Sequence, residues 1–402
     1  MSKWEMVRLE DLGDFQTGGT PPRSKNDYFQ GTIPWITTTA LGSLYICESH
    51  ANEFITDIAI KESSTKIVPP NSLLIGTRVG VGKVSINTVP LCTSQDVLAI
   101  TGIDQQNVYL PYLYNFLKTK HRYFDAQKRG ATIQGIKSET VKEINVPLPP
   151  FCVQQKISDI LYYANELIEK RKAQITNLDL LVKSRFVEMF GNPITNPMEW
   201  ECANLKDLST KINSGNTPKG GSQVYVDNGI MFFRSQNVWR NKIELEDIAY
   251  IDVITHAKMS QSSLKNKDIL ITKTGRINTE NSSLGRAALF LGEDDSANVN
   301  GHVYLVRLKE GAVHEFVLYI LTTDEYREYI RKVCVGGIDK RQINKEHLEY
   351  FPIIMPPHSL QHQFRDFVCA VEKIKSEIRF GLDKMELLYK SLMQKYFGGE
   401  FV

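Results

Sequence analysis

The sequence is poor in the features that announce chemistry. Its six cysteines (Cys47, Cys92, Cys152, Cys202, Cys334 and Cys369) form no Cys-x-x-Cys pair and no zinc spacing. They are expected to be free, mostly buried thiols, and no metal or cofactor is expected in this chain. No apolar run approaches the ~20 residues of a membrane span, and Glu5 stands where a signal peptide would need its apolar core. A cytoplasmic protein without a membrane partner is expected. Charge of one sign is also scarce: 48 Lys and Arg against 46 Asp and Glu leave +2. That balance announces no nucleic-acid partner, so any such case must come from local clustering.

Catalytic motifs are equally thin. Gly76-Thr77-Arg78-Val79-Gly80-Val81-Gly82-Lys83-Val84 looks like a phosphate loop. Its first glycine comes one residue too early, and Val84 replaces the hydroxyl that would hold magnesium. A strand turn with a lysine at its tip is the better reading. Leu148-Pro149-Pro150-Phe151 lacks the leading polar side chain of the amino-methyltransferase motif, and no glycine-rich cofactor motif follows a strand in the proper order. His358 and His362 are four apart without the intervening Glu of a zinc protease, so a helix start is expected there. The remaining histidines suggest no Ser-His-Asp set.

What the chain does have is one long helical pattern, used twice. From Pro149 to Gly191, apolar residues recur at Ile157, Leu161, Ala164, Ile168, Ile175, Leu178, Val182 and Met189, with only Arg171 intruding. Alternating steps of four and three predict a helix with a coiled-coil seam. Two prolines mark its entry, and Gly191 with Pro193 its exit. The pattern returns 207 residues later at Phe364, Val368, Val371, Ile378, Leu382 and Met385. Pro149-Pro150 returns as Pro356-Pro357, Gln154 as Gln361, and Phe190-Gly191 as Phe397-Gly398.

The segments before these helices repeat as well. Trp4…Leu9-Glu10-Asp11-Leu12 returns as Trp200…Leu205-Lys206-Asp207-Leu208, and Thr17-Gly18-Gly19-Thr20-Pro21 as Ser214-Gly215-Asn216-Thr217-Pro218. Ile33–Thr37 is echoed by Ile230–Arg234, Leu73-Leu74-Ile75 by Ile269-Leu270-Ile271, and Gly82-Lys83 by Gly285-Arg286. The offset grows from 196 to 207, and most of the extra residues fit the polar stretch Arg276–Ser283, read as a longer loop. Short β-branched and aromatic runs between turns predict small mixed-sheet domains. Each should carry one amphipathic helix near its end, at Pro111–Gln127 and Glu315–Lys332. The expected domains are 1–148, a helix at 149–192, 193–355, and a second helix at 356–402.

Taken together, Pro147-Leu148-Pro149-Pro150…Gln154-Gln155-Lys156-Ile157, the Trp…Leu-x-Asp-Leu openings and the Gly19–Pro22 turn resemble the specificity subunit of type I DNA restriction–modification systems. The likeness spans essentially the whole chain; the second half departs at His362 and Phe364, which stand for the second Gln and the Ile. The resemblance implies an α/β (α+β) fold. Two pseudo-repeated mixed-sheet target-recognition domains would be separated by two long antiparallel coiled-coil helices, pseudo-twofold and near-circular. It also implies a subunit without catalysis, reading an asymmetric two-part site in double-stranded DNA. Two adenine methyltransferase subunits using S-adenosylmethionine would be its partners, often with two restriction subunits that use ATP and magnesium. Physics agrees with the plan. A helix of ~36 residues is ~54 Å long, and its apolar stripe needs a second helix of like length.

Candidate DNA contacts fall at equivalent places in the halves, where basic and amide groups could meet phosphates and base edges. The first set is Thr37, Thr38 and Thr39, against Arg234, Ser235, Gln236 and Asn237. The second is Arg78 with Lys83, against Lys273 with Arg286, plus Arg276. The third runs Lys128-Arg129-Gly130-Ala131-Thr132-Ile133-Gln134-Gly135-Ile136-Lys137, against Gly336-Gly337-Ile338-Asp339-Lys340-Arg341-Gln342-Ile343-Asn344. Glycines there permit close backbone approach. The seam residues are read as helix-pairing or partner surface. Two readings from other classes stay open: a standalone DNA methyltransferase or nuclease, and a coiled-coil scaffold with no DNA role.

Overall fold

The computed structural model describes residues 4–129, 134–277, 281–337 and 340–398. The chain divides into two units, Met1–Gln174 with Ile378–Val402, and Ile175–Glu377. The division therefore runs through the middle of both long helices, which span Phe151–Phe190 and His358–Phe397. At 40 residues each, they are about 60 Å long.

Unit 1 is built on two mixed sheets. One has the order Asp14–Thr17, Val97–Thr101, Leu73–Gly76, Val84–Asn87, Tyr45–Ile46, and the other Glu53–Ile55, Ile33–Ile36, Leu91–Thr93, Ile67–Val68. Side chains alternate along a strand, and here both faces are covered. Leu73 and Ile75 face Tyr112, Leu113, Phe116 and the helix residues Ile157, Leu161, Met393 and Phe397. Leu74 faces Ile36, Ile46, Val68 and Leu91. A strand buried on both sides reads as a continuous apolar run, which is why Leu73-Leu74-Ile75 stood out.

Unit 2 repeats this with its own residues. Its sheets run Ser209–Ser214, Val303–Leu308, Ile269–Thr272, Ala287–Leu289 and Tyr225–Val226, Ala249–Ile251, Ile230–Phe233, Ala297–Val299. Ile269 and Ile271 face Phe316, Ile320, Val182, Phe186, Phe190 and Phe364, while Leu270 faces Phe233 and Val299. Each unit also pairs its opening strand with the one before the double proline: Glu5–Arg8 on Asn145–Leu148, and Cys202–Asn204 on Pro352–Ile354.

The Gln repeated at both helix entries has a physical reason. Gln154 is fully buried; its Oε1 accepts from Tyr109 N–H at 2.9 Å, and its Nε2 donates to Asn107 O at 2.9 Å and Pro149 O at 2.8 Å. Gln361 Nε2 donates likewise to Pro356 O at 2.8 Å. One amide in unit 1 thus ties the strand-to-helix junction to the segment that opens the helix Leu110–Lys118.

Within each unit the long helices run antiparallel. In unit 1 Lys172 Nζ meets Glu386 at 3.3 Å; in unit 2 Lys375 Nζ meets Asp179 at 2.5 Å, and Phe186 packs on Phe364 with ring centroids 5.3 Å apart. Of the seam residues, Ile157, Leu161, Ile168, Val182, Phe364 and Val371 are buried. Ala164, Ile175, Leu178, Val368, Ile378, Leu382 and Met385 are half-buried. Lys375 occupies the repeat position of Ile168 and is buried in the seam, where Asp179 and Glu372 hold it. The first helix ends on the globular part that follows it, and the second on the first globular part. Phe190 packs on Phe316 at 5.1 Å, and Phe397 returns to Tyr112 at 5.3 Å and Phe116 at 5.9 Å.

Two expectations need correction. The single amphipathic helix of each half is two, Leu110–Lys118 with His121–Gln127 and His314–Leu321 with Asp324–Val333. Thr119 Oγ1 turns back on Phe116 O at 2.6 Å, and Thr323 caps the second helix of unit 2 by accepting from Tyr326 N–H at 3.2 Å. The cysteines are free, but only Cys92 and Cys334 are buried; Cys152 and Cys369 lie on outward helix faces and Cys202 on a short surface strand.

Candidate nucleic-acid interface

Four backbone hydrogen bonds bring the same segments together in both units. In unit 1 Gly18 N–H donates to Val97 O (3.2 Å), Ser94 to Ile36 O (2.9 Å), Thr77 to Asp96 O (2.8 Å) and Ile136 to Thr77 O (2.8 Å). In unit 2 the donors are Gly215 to Val303 O (2.9 Å), Asn300 to Phe233 O (2.9 Å), Lys273 to His302 O (2.8 Å) and Ile343 to Lys273 O (3.0 Å). The glycine is required: a Cβ on Gly18 would stand 2.2 Å from Thr93 Oγ1, and one on Gly215 2.0 Å from Val299 O. The frame is shared while most side chains on it differ.

Unit 1 gathers most of its expected contacts around one hairpin. The strands Leu73–Gly76 and Val84–Asn87 are antiparallel, with Gly80 and Gly82 at positive φ in the turn. This strand–turn–strand lacks the helix N-terminus that a phosphate loop needs. Arg78 and Lys83 are exposed on it. Arg129 and Gly135 exchange backbone hydrogen bonds at 2.9 and 3.0 Å, and a Cβ on Gly135 would sit 2.9 Å from Arg78 Cγ. Arg129, Gln134 and Lys137, all exposed, therefore adjoin the hairpin. Lys128 pairs with Asp125 at 2.5 Å. Thr39 is exposed and Thr37 caps the turn it starts, but Thr38 is buried beside Gly76. Residues 130–133, which include Gly130, Ala131, Thr132 and Ile133, lie outside the described residues.

Unit 2 assembles the same region from a longer loop. Thr77 corresponds to Lys273, 196 residues on, but Gly82 to Gly285, 203 on, so seven of the additional residues lie here. Thr274–Gly275 pairs with Arg341–Gln342, which pairs with Val335–Gly336. A concavity lined by Thr274, Gly275, Arg276, Asn281, Ser282, Ser283 and Lys340 results. Gln342 is exposed; Lys273 lies with its Nζ 5.5 Å from the Tyr304 ring. Asn278, Thr279, Glu280, Ile338 and Asp339 lie outside the described residues.

Several expected contacts are engaged within the protein. Asn237 is buried, its Oδ1 accepting from Arg234 N–H at 2.9 Å and its Nδ2 donating to Glu244 O and Asp247 O at 3.1 Å. Arg234 pairs with Asp247 at 3.1 Å, and Gln236 also donates to that carboxylate. Gln236 first, then Arg234, holds the Asp247 carboxyl below the usual range. Ser235 is half-buried in this turn. Arg286 lies 3.7 Å over the Trp239 ring and donates to Ser282 O at 3.0 Å. Burial, then the charge of Arg327, lowers its pKa. These side chains organise the turn; Arg276, Lys340 and Gln342 face outward.

Reading for basic clusters missed the connections Ser94–Asp96 and Asn300–His302, which the backbone frame places between the others. Polar residues between two apolar strands were the available signal. Elsewhere, Leu148-Pro149-Pro150-Phe151 is a strand-to-helix junction, and His358 and His362 lie on the first turns of a helix. Among the described residues no helix is long and apolar enough to cross a membrane, and no group of His, Cys, Asp or Glu could hold a metal ion.

With this geometry in view, comparison with known proteins is specific. The family described as type I restriction modification DNA specificity domain matches residues 1–177 and 197–382, one match per half. The MjaIX type I restriction enzyme specificity subunit of Methanocaldococcus jannaschii is 28% identical over 385 residues, covering 91% of this chain and 86% of that one. The EcoR124I/EcoR124II specificity subunit of Escherichia coli is 30% identical over 164 residues, 39% of this chain and 40% of that one. Among solved structures, the S subunit of a type I restriction–modification system from M. genitalium aligns over 100% of this chain and 97% of its own. The TM-score is 0.57 and the identity 15%, so the two share a fold.

Proposed function

Because the chain belongs to the type I restriction–modification DNA specificity family, we propose that each unit reads one block of an asymmetric, gapped site in double-stranded DNA. The carrying observation is the shared backbone frame, which presents exposed Arg78, Lys83, Arg129 and Lys137 in one unit and Arg276, Lys340 and Gln342 in the other. Basic groups there position the duplex through its phosphates or meet base edges, while differing polar groups select bases. The chain itself is non-catalytic and acts in the cytoplasm. Exposed Tyr162, Tyr163, Leu180, Leu181, Leu387 and Leu388 on the long helices are surface for two methyltransferase subunits, since large exposed apolar patches mark interaction sites. Those partners would supply S-adenosylmethionine-dependent adenine methylation. Restriction subunits using ATP and magnesium would join where present.

Genome-wide adenine-methylation mapping with and without the chain tests this. Loss of one gapped two-part motif is expected. An unchanged methylome, in cells shown to express the methyltransferase, would refute it.

A further inference from the structure

The connection that follows the parallel-paired strand, Leu91–Thr93 in unit 1 and Ala297–Val299 in unit 2, is held by the same backbone hydrogen bonds in both, yet its side chains are unrelated. Val97 corresponds to Val303, so Ser94, Gln95 and Asp96 stand where unit 2 has Asn300, Gly301 and His302. In unit 1, Thr93 Oγ1, Ser94 Oγ and Asp96 Oδ1 are all shielded from solvent without a hydrogen-bond partner. Thr93 and Ser94 are 0% and 4% exposed. Buried polar atoms are normally paired, and three orphans together call for a reason. The Asp96 carboxylate lies 3.5 Å from the exposed Arg78 guanidinium, an ion pair too long for a hydrogen bond. Gln95 is exposed beside it, accepting from Thr20 of the Gly-Thr-Pro-Pro turn. In unit 2 the corresponding place holds exposed His302, 3.5 Å from Thr274 Oγ1, and Asn300, whose Oδ1 accepts from His302 N–H at 3.0 Å.

We propose that these connections, Gln95-Asp96 in unit 1 and Asn300 with His302 in unit 2, determine which bases each unit reads. This inference rests on the DNA-reading function proposed above and names the positions that carry it. In unit 1 Asp96 is a positioning residue. Its carboxylate orients Arg78, whose forked donors match the O6 and N7 acceptors of guanine. Gln95 presents an amide suited to adenine N6 and N7. Unit 2 has no carboxylate at this position, so its block is read by an imidazole and an amide.

The backbone frame makes the exchange of side chains feasible. The Asp96 main-chain oxygen, not its carboxylate, accepts from Thr77 N–H and from Thr77 Oγ1 at 3.0 Å. The test uses the full chain assembled with its methyltransferase, selecting bound sequences from a randomised duplex pool. Ser94→Asn and Gln95→Gly combined with Asp96→His transfer the unit 2 connection into unit 1. The expected result is a changed letter or letters in one block, with the other block and the gap length intact. Asp96→Asn, nearly isosteric, is the second variant. It should relax the guanine preference at one position by roughly tenfold while the salt slope of binding stays the same. Both variants returning the wild-type two-part sequence would overturn the inference and leave the proposed function standing. A wild-type complex that selects no two-part sequence would overturn the function, and the inference with it.

Discussion

Replacing Gln154 by Ala should separate a structural from a superficial role within the adjacent pair Gln154-Gln155. Both residues belong to the helix entry, but only Gln154 is buried. Its amide makes three hydrogen bonds of 2.8–2.9 Å, to Tyr109 N–H, Asn107 O and Pro149 O. Truncation leaves one buried donor and two carbonyls to find other partners. An unsatisfied buried group costs about 1–3 kcal/mol, and the carbonyls' second lone pairs soften the sum. A loss of about 2–4 kcal/mol is expected, which for a unit of this size is roughly 4–16 °C in melting temperature. Gln155→Ala, at an exposed position, should stay within about 0.5 kcal/mol. Gln361→Ala loses the bond to Pro356 O and should fall between them, acting on unit 2. Urea unfolding of the full chain, followed by fluorescence and by hydrogen exchange at Tyr109, reads these effects. Equal midpoints for Gln154→Ala and Gln155→Ala would refute the reasoning.

Lys340→Ala should weaken DNA binding by the assembled complex evenly across sequences and reduce the salt slope by about 1, measured by titration at several salt concentrations. Lys375→Met should change stability by less than about 2 kcal/mol in either direction, because a well-packed apolar side chain replaces a buried ion pair at little net cost; a denaturation midpoint checks it. Lys183, at 3.0 Å, and then Arg240 hold the Asp324 carboxyl below its ordinary range. A depressed carboxyl contributes fully above its unfolded pKa of about 4 and loses that contribution as pH falls through the folded value. Asp324→Asn should therefore lower the urea midpoint at pH 7 more than at pH 3. A circular permutant with residue 402 joined to residue 1 through a short linker and opened between Asn192 and Pro193 should fold and bind DNA, since Phe397 seats on Tyr112 and Phe116 as Phe190 does on Phe316; gel filtration and a binding assay decide.

Much of the architecture was legible because burial on both faces leaves a long trace. The runs Leu73–Ile75 and Ile269–Ile271 are apolar without interruption since each strand lies between two cores. The seam was legible at Ile157, Leu161 and Phe364 for the same reason. Lys375 was not, because a buried lysine is recognisable only once Asp179 is seen beside it. The candidate site was less legible. Charge in sequence does not distinguish Arg276, which is exposed, from Arg286, which is spent on Trp239 and Ser282 O. Asn237 likewise carries the chemistry of a base reader yet is consumed by Glu244 and Asp247. The connection at Gln95 and Asp96 has a single acid and no base, so a search for positive clusters passed over it.

The division of the long helices between units also sets an order of completion during synthesis. Unit 2 is one continuous stretch, Ile175–Glu377, nested inside unit 1. Unit 1 begins first, but its core includes Met393 and Phe397, near the end of the chain. At ~5–20 residues per second, the ribosome supplies everything unit 2 requires before it supplies the last pieces of unit 1. The amino-terminal globular part must therefore wait, with Tyr112 and Phe116 uncovered by Phe397, through the making of the whole second unit. A chain released after Glu377 would have every residue of the second unit and lack the last pieces of the first.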